Sequence, residues 1–236
     1  MTSHTLLARV ALLALAVIAF SWALGAHVPA TTNGIVIIGG ALSTFPVVWL
    51  AKIVLERHPT TGYAVWTTTL VHFSLAFTLG VPLIRALATC REWRDWAIPV
   101  PRGIGLALVI VTATACGLTV ANLALKGLGA PFFIALSRKL AQDWLYARTR
   151  NPMALAVIAC GLSLGIWLRS GLLVLWFLVL FAPALLFFIR VYEERELEIR
   201  FGEAYRLYRA STPFLWPSIR RRTPTGRSER APAREG

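Results

Sequence analysis

Six apolar runs of membrane-crossing length are packed into 236 residues, near 5–25, 34–54, 63–84, 103–125, 152–168 and 171–190. A helix needs roughly 20 apolar residues to cross a bilayer, within a range of about 17–25. Five of the runs reach that comfortably, and 152–168 stands at the short end. In lipid every backbone polar group must be satisfied inside the segment, so such runs become helices. The chain is 57% hydrophobic and only 15% charged, whereas a soluble domain is about 25% charged. The expected fold class is all-α: a polytopic helical membrane protein of about six transmembrane helices plus a C-terminal interfacial helix. Run 5–25 has a second reading as a signal peptide ending at Gly25-Ala26-His27-Val28-Pro29-Ala30. The very short loop to the next run favours a helical hairpin. A five-span variant, with one run only dipping into the membrane, also stays open.

The net charge of +13 is unevenly placed. Six arginines and no lysine lie in 218–236, which reads as a disordered tail beside anionic lipid headgroups. Nucleic acid is not an expected partner, because no folded basic surface is visible. Basic residues mark the cytoplasmic side of a membrane protein. With both termini inside, 19 of the 24 basic residues fall on that side. The exceptions are Arg85, Arg91, Arg94, Arg102 and Arg169. Four of them crowd the loop 85–102, where Trp93, Trp96, Glu92 and Asp95 suggest an interfacial segment.

Cys90, Cys116 and Cys160 are far apart and form no CxxC, and the four histidines are scattered. Neither a disulfide framework nor a metal site is expected. His72 lies in an apolar run among threonines and reads as one partner of an interhelical hydrogen bond. Asn122 reads the same way.

Three segments organise the chain: N-terminal transmembrane helices in 1–125, a C-terminal part with two spans in 126–217, and the basic tail 218–236. Lys126-Gly127-Leu128-Gly129-Ala130-Pro131 breaks the fourth run. Ser137 to Tyr146 could form a short surface helix. Residues 192–210 read as one amphipathic helix, with Leu197, Phe201, Tyr205 and Tyr208 on one face and Glu196 and Arg200 paired at i,i+4. Gly202 interrupts it, which points to a bend or a close backbone approach. Tyr205, Tyr208, Trp144 and Trp216 read as interfacial anchors.

Chemistry concentrates where 152–168 begins and 171–190 ends. Pro152 suits the first turn of a helix, and Asn151 before it suits the N-cap. Arg148 and Arg150 add positive charge to a helix end that already favours carboxylates and phosphates. Across the hairpin, Glu193 and Glu194 leave the sixth run at the same level. Opposite charges thus face the two ends of an amino-acid moiety. Both sets of side chains are expected at the water edge, where their loss would spare folding.

Arg150-Asn151-Pro152-Met153, then Glu193-Glu194-x-x-Leu197, then Phe201-Gly202-x-x-Tyr205-x-x-Tyr208 and a late proline resemble the isoprenylcysteine carboxyl methyltransferase and phospholipid methyltransferase group. The resemblance covers about 126–217. It implies a membrane methyltransferase that takes its methyl group from S-adenosylmethionine and delivers it to a lipophilic or lipid-linked acceptor. By that resemblance Tyr146, Arg150, Asn151, Pro152, Glu193, Glu194 and, more weakly, Gly127 and Gly129 bind the cofactor. Arg150 and Glu194 are its candidate catalytic pair. Tyr205 and Tyr208 match the closing helix, and Pro213 or Pro217 the terminal proline. The family usually has Tyr-x-Gly after the methionine, whereas Ala154-Leu155-Ala156 stands here. Two other readings are a non-catalytic protein that keeps the scaffold and an NADPH-dependent enzyme of the steroid 5-alpha-reductase type. The acidic pair argues against the second, since a 2′-phosphate would want basic groups.

Overall fold

A computed structural model describes residues 3–92, 96–125 and 140–217. The apolar runs are helices: α1 (Ser3–Gly25), α2 (Ala30–Arg57), α3 (Thr61–Thr89), α4 (Arg102–Leu125), α5 (Pro152–Trp167) and α6 (Gly171–Phe201). A short α7 (Glu203–Ser211) follows. Among the described residues, four helices are long and apolar enough to cross a membrane: α2, α3, α4 and α6. The apolar stretch Ala11–Gly25 and α5 are shorter. The chain is a helical membrane protein, and its described residues form no sheet beyond an isolated bridge between Ala97 and Ser170. Gly127, Gly129 and the tail 218–236 lie outside the described residues.

Side-chain patterning gives each helix its neighbours. α2 is central, packing on α3 and α6, while α1 lies against α3 and α4 pairs closely with α5. Toward the α1–α2 turn, Ile37, Ala41, Leu79, Leu173, Trp176 and Phe181 form one core. The Trp176 indole donates to the Ile37 carbonyl at 3.1 Å. Toward the other end, Val48, Leu55, Val71, Ala154, Phe188 and Tyr192 form a second. The contact of α4 with α5 depends on Gly105: a Cβ there would stand 2.6 Å from the Trp167 Cα.

Prolines explain two irregularities. A proline inside a helix has no N–H to give to the preceding turn. Ahead of Pro82 the helix widens into a π turn at Ala76–Gly80, and ahead of Pro183 into another at Phe177–Phe181. A third π turn, Ile189–Glu193, has no proline near it and leads directly into Glu194. Such turns re-aim the side chains that follow them and recur at functional sites.

Several expectations are corrected. Residues 192–210 are not one helix. α6 continues to Phe201, and Gly202 at φ 54° and ψ −126° separates it from α7. A Cβ at Gly202 would touch nothing within 4 Å, so the backbone conformation, which glycine alone adopts readily, is the reason for the residue. In 137–146, the described residues are helical only at the 3-10 turn Trp144–Ala147. The His72 ring nitrogen Nδ1 bonds to the Thr68 carbonyl of its own helix at 2.8 Å, not across helices. Arg85 is not a loop arginine. It sits inside the bundle near the end of α3, donating to the Asn33 side chain and to the carbonyls of Ala23 and Ala26. That removes one of the basic residues crowding the loop 85–102.

Candidate active site

The start of α5 is held by chain that comes more than 60 residues later. The Arg150 amide donates to the Pro213 carbonyl at 2.9 Å. Thr149 Oγ1 donates to the carbonyls of Phe214 and Leu215, and Asn151 Nδ2 to that of Phe214 at 2.9 Å. The Tyr208 hydroxyl donates to the Tyr146 carbonyl at 2.7 Å. Of the two candidate prolines, Pro213 is thus the one at the site. Asn151 occupies the N-cap position of α5, but its side chain makes no cap bond; it is spent on Phe214 instead. Pro152 opens the helix as expected.

Arg150 and Glu194 meet. Arg150 Nη1 lies 2.6 Å from Glu194 Oε1, with the two side chains 8% and 6% exposed. They are buried, not at the water edge, because α7 and the 212–215 segment cover them. Arg190 approaches the other carboxylate oxygen at 3.1 Å, and Arg209 stands at 4.0 Å. Phe214 presents its ring to two guanidiniums, at 5.6 Å from Arg150 and 5.3 Å from Arg190. The Arg150 Nε is buried without a well-formed partner, while Nη1 is committed to Glu194 and the guanidinium also donates to the Tyr205 hydroxyl. A buried guanidinium donor left over in this way is an uncommon arrangement and suits an acceptor from outside the chain.

Glu193 is different. Its side chain is only partly exposed and lies near the carboxylates of Glu196 and Glu194. No cation pairs with it among the described residues. Its charge reaches the hydroxyls of Tyr146 and Tyr205. Burial, with Glu193 adding, pushes the Tyr146 hydroxyl above the usual phenol range. Burial also pushes Tyr205 up, with Glu194 and Glu193 adding and Arg150 opposing. Both tyrosines therefore remain protonated hydrogen-bond donors at neutral pH. Neither Tyr205 nor Tyr208 is an exposed anchor: both are buried, while Trp144 and Trp216 are exposed as anchors should be. Glu196 is turned away, paired with Arg200 at 2.7 Å and facing Thr68 of α3. Thr68 also bonds Tyr192 at 3.0 Å, which docks α6 on α3.

Of the residues singled out in the sequence, the structure brings together Tyr146, Arg150, Asn151, Pro152, Glu193 and Glu194. Two participants were not foreseen. Arg190 stands four residues before Glu194, a spacing that does announce a pair. Phe214 carried no signal. Asn122 of α4 is buried, and its Nδ2 has no partner among the described residues. No cluster of three or more metal-ligating side chains occurs among the described residues.

A bundle of apolar helices with a polar, arginine-and-glutamate site at one end defines the class as a membrane protein with a candidate small-molecule centre. Residues 101–204 match the model of the phospholipid methyltransferase family. The match covers under half of the chain, and it begins one helix earlier than the sequence motifs did, taking in all of α4. No curated protein matches the chain.

Proposed function

We propose that the protein is an integral membrane methyltransferase that moves a methyl group from S-adenosylmethionine to a lipophilic acceptor, with Arg150, Glu193 and Glu194 at its centre. One observation carries the reading. At the inner end of the α5–α6 hairpin, within the family-matched segment, the buried Arg150 Nε lacks a well-formed partner while Glu193 lacks a cation among the described residues. These vacancies are complementary to the carboxylate and the positive charge of an amino-acid moiety. The uncapped first turn of α5 adds a favourable field for the carboxylate. The chemistry supplied by the cofactor is a methyl already activated by its sulfonium. Glu194 holds the Arg150 guanidinium in place, and Glu193 faces the positive end. Tyr146 and Tyr205 offer neutral hydroxyls. No histidine stands at the site, so an acceptor that is already nucleophilic suits it best. Positioning of this kind supplies roughly 7–11 kcal/mol in favourable cases.

The test uses Glu193→Gln, which breaks no ion pair and leaves the fold alone. Titration of the purified full-length protein with S-adenosylmethionine should show binding in the wild type. A charged hydrogen bond is worth about 1.5–3 kcal/mol, so the variant should bind roughly one to two decades more weakly. Wild-type protein that fails to bind, or a variant that binds equally, refutes the assignment.

We also place the site on the cytoplasmic side. The support is the distribution of basic residues, 19 of 24 on the side of Arg150 in the six-span arrangement. Reporter fusions at Gly236 and within the 26–29 turn should report the cytoplasm and the far side respectively; the reverse pattern would invert the proposal.

A further inference from the structure

Beside the Arg150–Glu194 pair, α6 and α7 enclose an open cleft of about 500 Å³ lined by Arg150, Arg190, Glu198, Arg206, Arg209 and Ala210. A second hollow of about 250 Å³ adjoins it, adding Lys52, Glu194 and Arg195. Across the two, six cations face two carboxylates. Glu56, which pairs with Lys52, and Glu203, which pairs with Arg206, lower the excess to two. The rim arginines are loosely held. Arg206 is 3.3 Å from the exposed Glu203 and 4.0 Å from Glu198. Arg209 is 3.9 Å from Glu198 and 4.0 Å from Glu194. Exposed pairs of this length contribute little, and each guanidinium has five donors to offer. The cleft is therefore built for an anion, and the cofactor reading makes no use of Arg206 or Arg209.

Its surroundings say which anion. The cleft opens where the apolar part of the spans gives way to charge: Arg190 ends the apolar run of α6, and Lys52 lies near the end of α2. Leu207, between the two rim arginines on α7, is 64% exposed; Trp216, nine residues on, and Trp144, two residues before the Tyr146 that Tyr208 bonds, are exposed as well. A leucine left bare beside arginines marks a helix lying in a lipid interface, and exposed tryptophans belong at headgroup level. A soluble anion would need neither. We infer that the cleft holds the phosphate of an anionic lipid headgroup, gripped by Arg206 and Arg209 with Arg190 beneath. The ammonium of a zwitterionic headgroup would meet the same arginines and be disfavoured. The inference stands whether or not the cofactor reading does.

Calorimetric titration of the detergent-purified full chain with dioctanoyl phosphatidic acid tests it. Wild type should bind this lipid, bind dioctanoyl phosphatidylcholine far more weakly, and keep its binding when 218–236 are deleted. Each arginine near a lipid surface is worth roughly fivefold, so Arg206→Gln with Arg209→Gln should lower affinity by at least about tenfold. Arg206→Lys with Arg209→Lys should keep most of it. The melting temperature and the S-adenosylmethionine titration of Arg206→Gln alone, a residue without contact to Glu194 or Arg150, should match wild type, separating this site from the cofactor's. Should the double variant fail to fold, Arg206→Gln alone is read in its place. Unchanged affinity in the glutamine variant overturns the proposal. So does equal binding of phosphatidylcholine, or loss of binding on deleting the tail. Inorganic phosphate binding as tightly as the lipid would overturn the lipid assignment in favour of a soluble anion.

Discussion

Glu194→Gln is expected to destabilise the protein by about 3–5 kcal/mol, the usual cost of leaving one half of a buried ion pair unpaired. The reason lies in the surroundings of the pair. Arg150 is 8% exposed and its near partner is Glu194, so neutralising the carboxylate strands a guanidinium that is already short of hydrogen bonds. Arg190 suffers less, because it is 55% exposed and water can replace its partner. The measurement is thermal unfolding of wild type, Glu194→Gln, Arg150→Met and the double variant. The double variant should recover a good part of the loss, since removing both charges also removes the burial penalty. A coupling below about 0.5 kcal/mol, the scatter of independent sites, would mean that the two side chains do not depend on each other.

The second large effect is expected far from the site. Arg85→Met should cost about 3 kcal/mol or more, because several hydrogen bonds to a charged group disappear together and each is worth about 1.5–3 kcal/mol. The Arg85 side chain joins α3 to the Asn33 amide of α2, at 2.8 Å, and to two carbonyls at the C-terminal end of α1. Asn33 in turn donates to Thr89 at 3.2 Å, and Thr89 to the Arg85 carbonyl. A cation at a helix C-terminus is itself favourable, which is how Arg85 persists without a carboxylate partner among the described residues. The loss should appear as a lower melting temperature together with faster proteolysis near the turn 26–29. Arg85→Lys, which keeps the charge but not the fork, should fall between. A methionine variant as stable as wild type would show that α1 is held by apolar contacts alone.

The helices were legible because lipid leaves few choices. Uninterrupted apolar length is the whole signal, and the runs at 34–54, 63–84 and 103–125 lie inside α2, α3 and α4. The partners at the site were half legible. Pro152 and the Glu193-Glu194 pair fix where two helices begin and end, so their shared level followed from hairpin arithmetic. What periodicity could not supply was direction. The π turn at Ile189–Glu193 rotates Glu194 onto Arg150 and leaves Glu193 without a cation, so adjacent carboxylates that look equivalent in sequence have different surroundings. Burial was misjudged for the same reason. Tyr205 and Tyr208 lie on an amphipathic face that reads as lipid-facing, yet the bend at Gly202 folds that face inward against Tyr146 and Arg150. The Phe214 contact was invisible, since nothing local says that a segment after α7 returns to the start of α5.

That return sets an order of events in biosynthesis. Residues 213–215 bond to 149–151 across a separation of 63 to 66 positions, and they leave the ribosome after every apolar helix has been made. The described apolar helices are therefore made before the Arg150 turn acquires its closing strap. A nascent chain that has emerged only as far as 205 already holds the described apolar helices α1 to α6 but an open, unlatched centre. Insertion and maturation of the centre are thus separate in time, and a fault in the short stretch after α7 would leave a correctly inserted protein that never finishes its site.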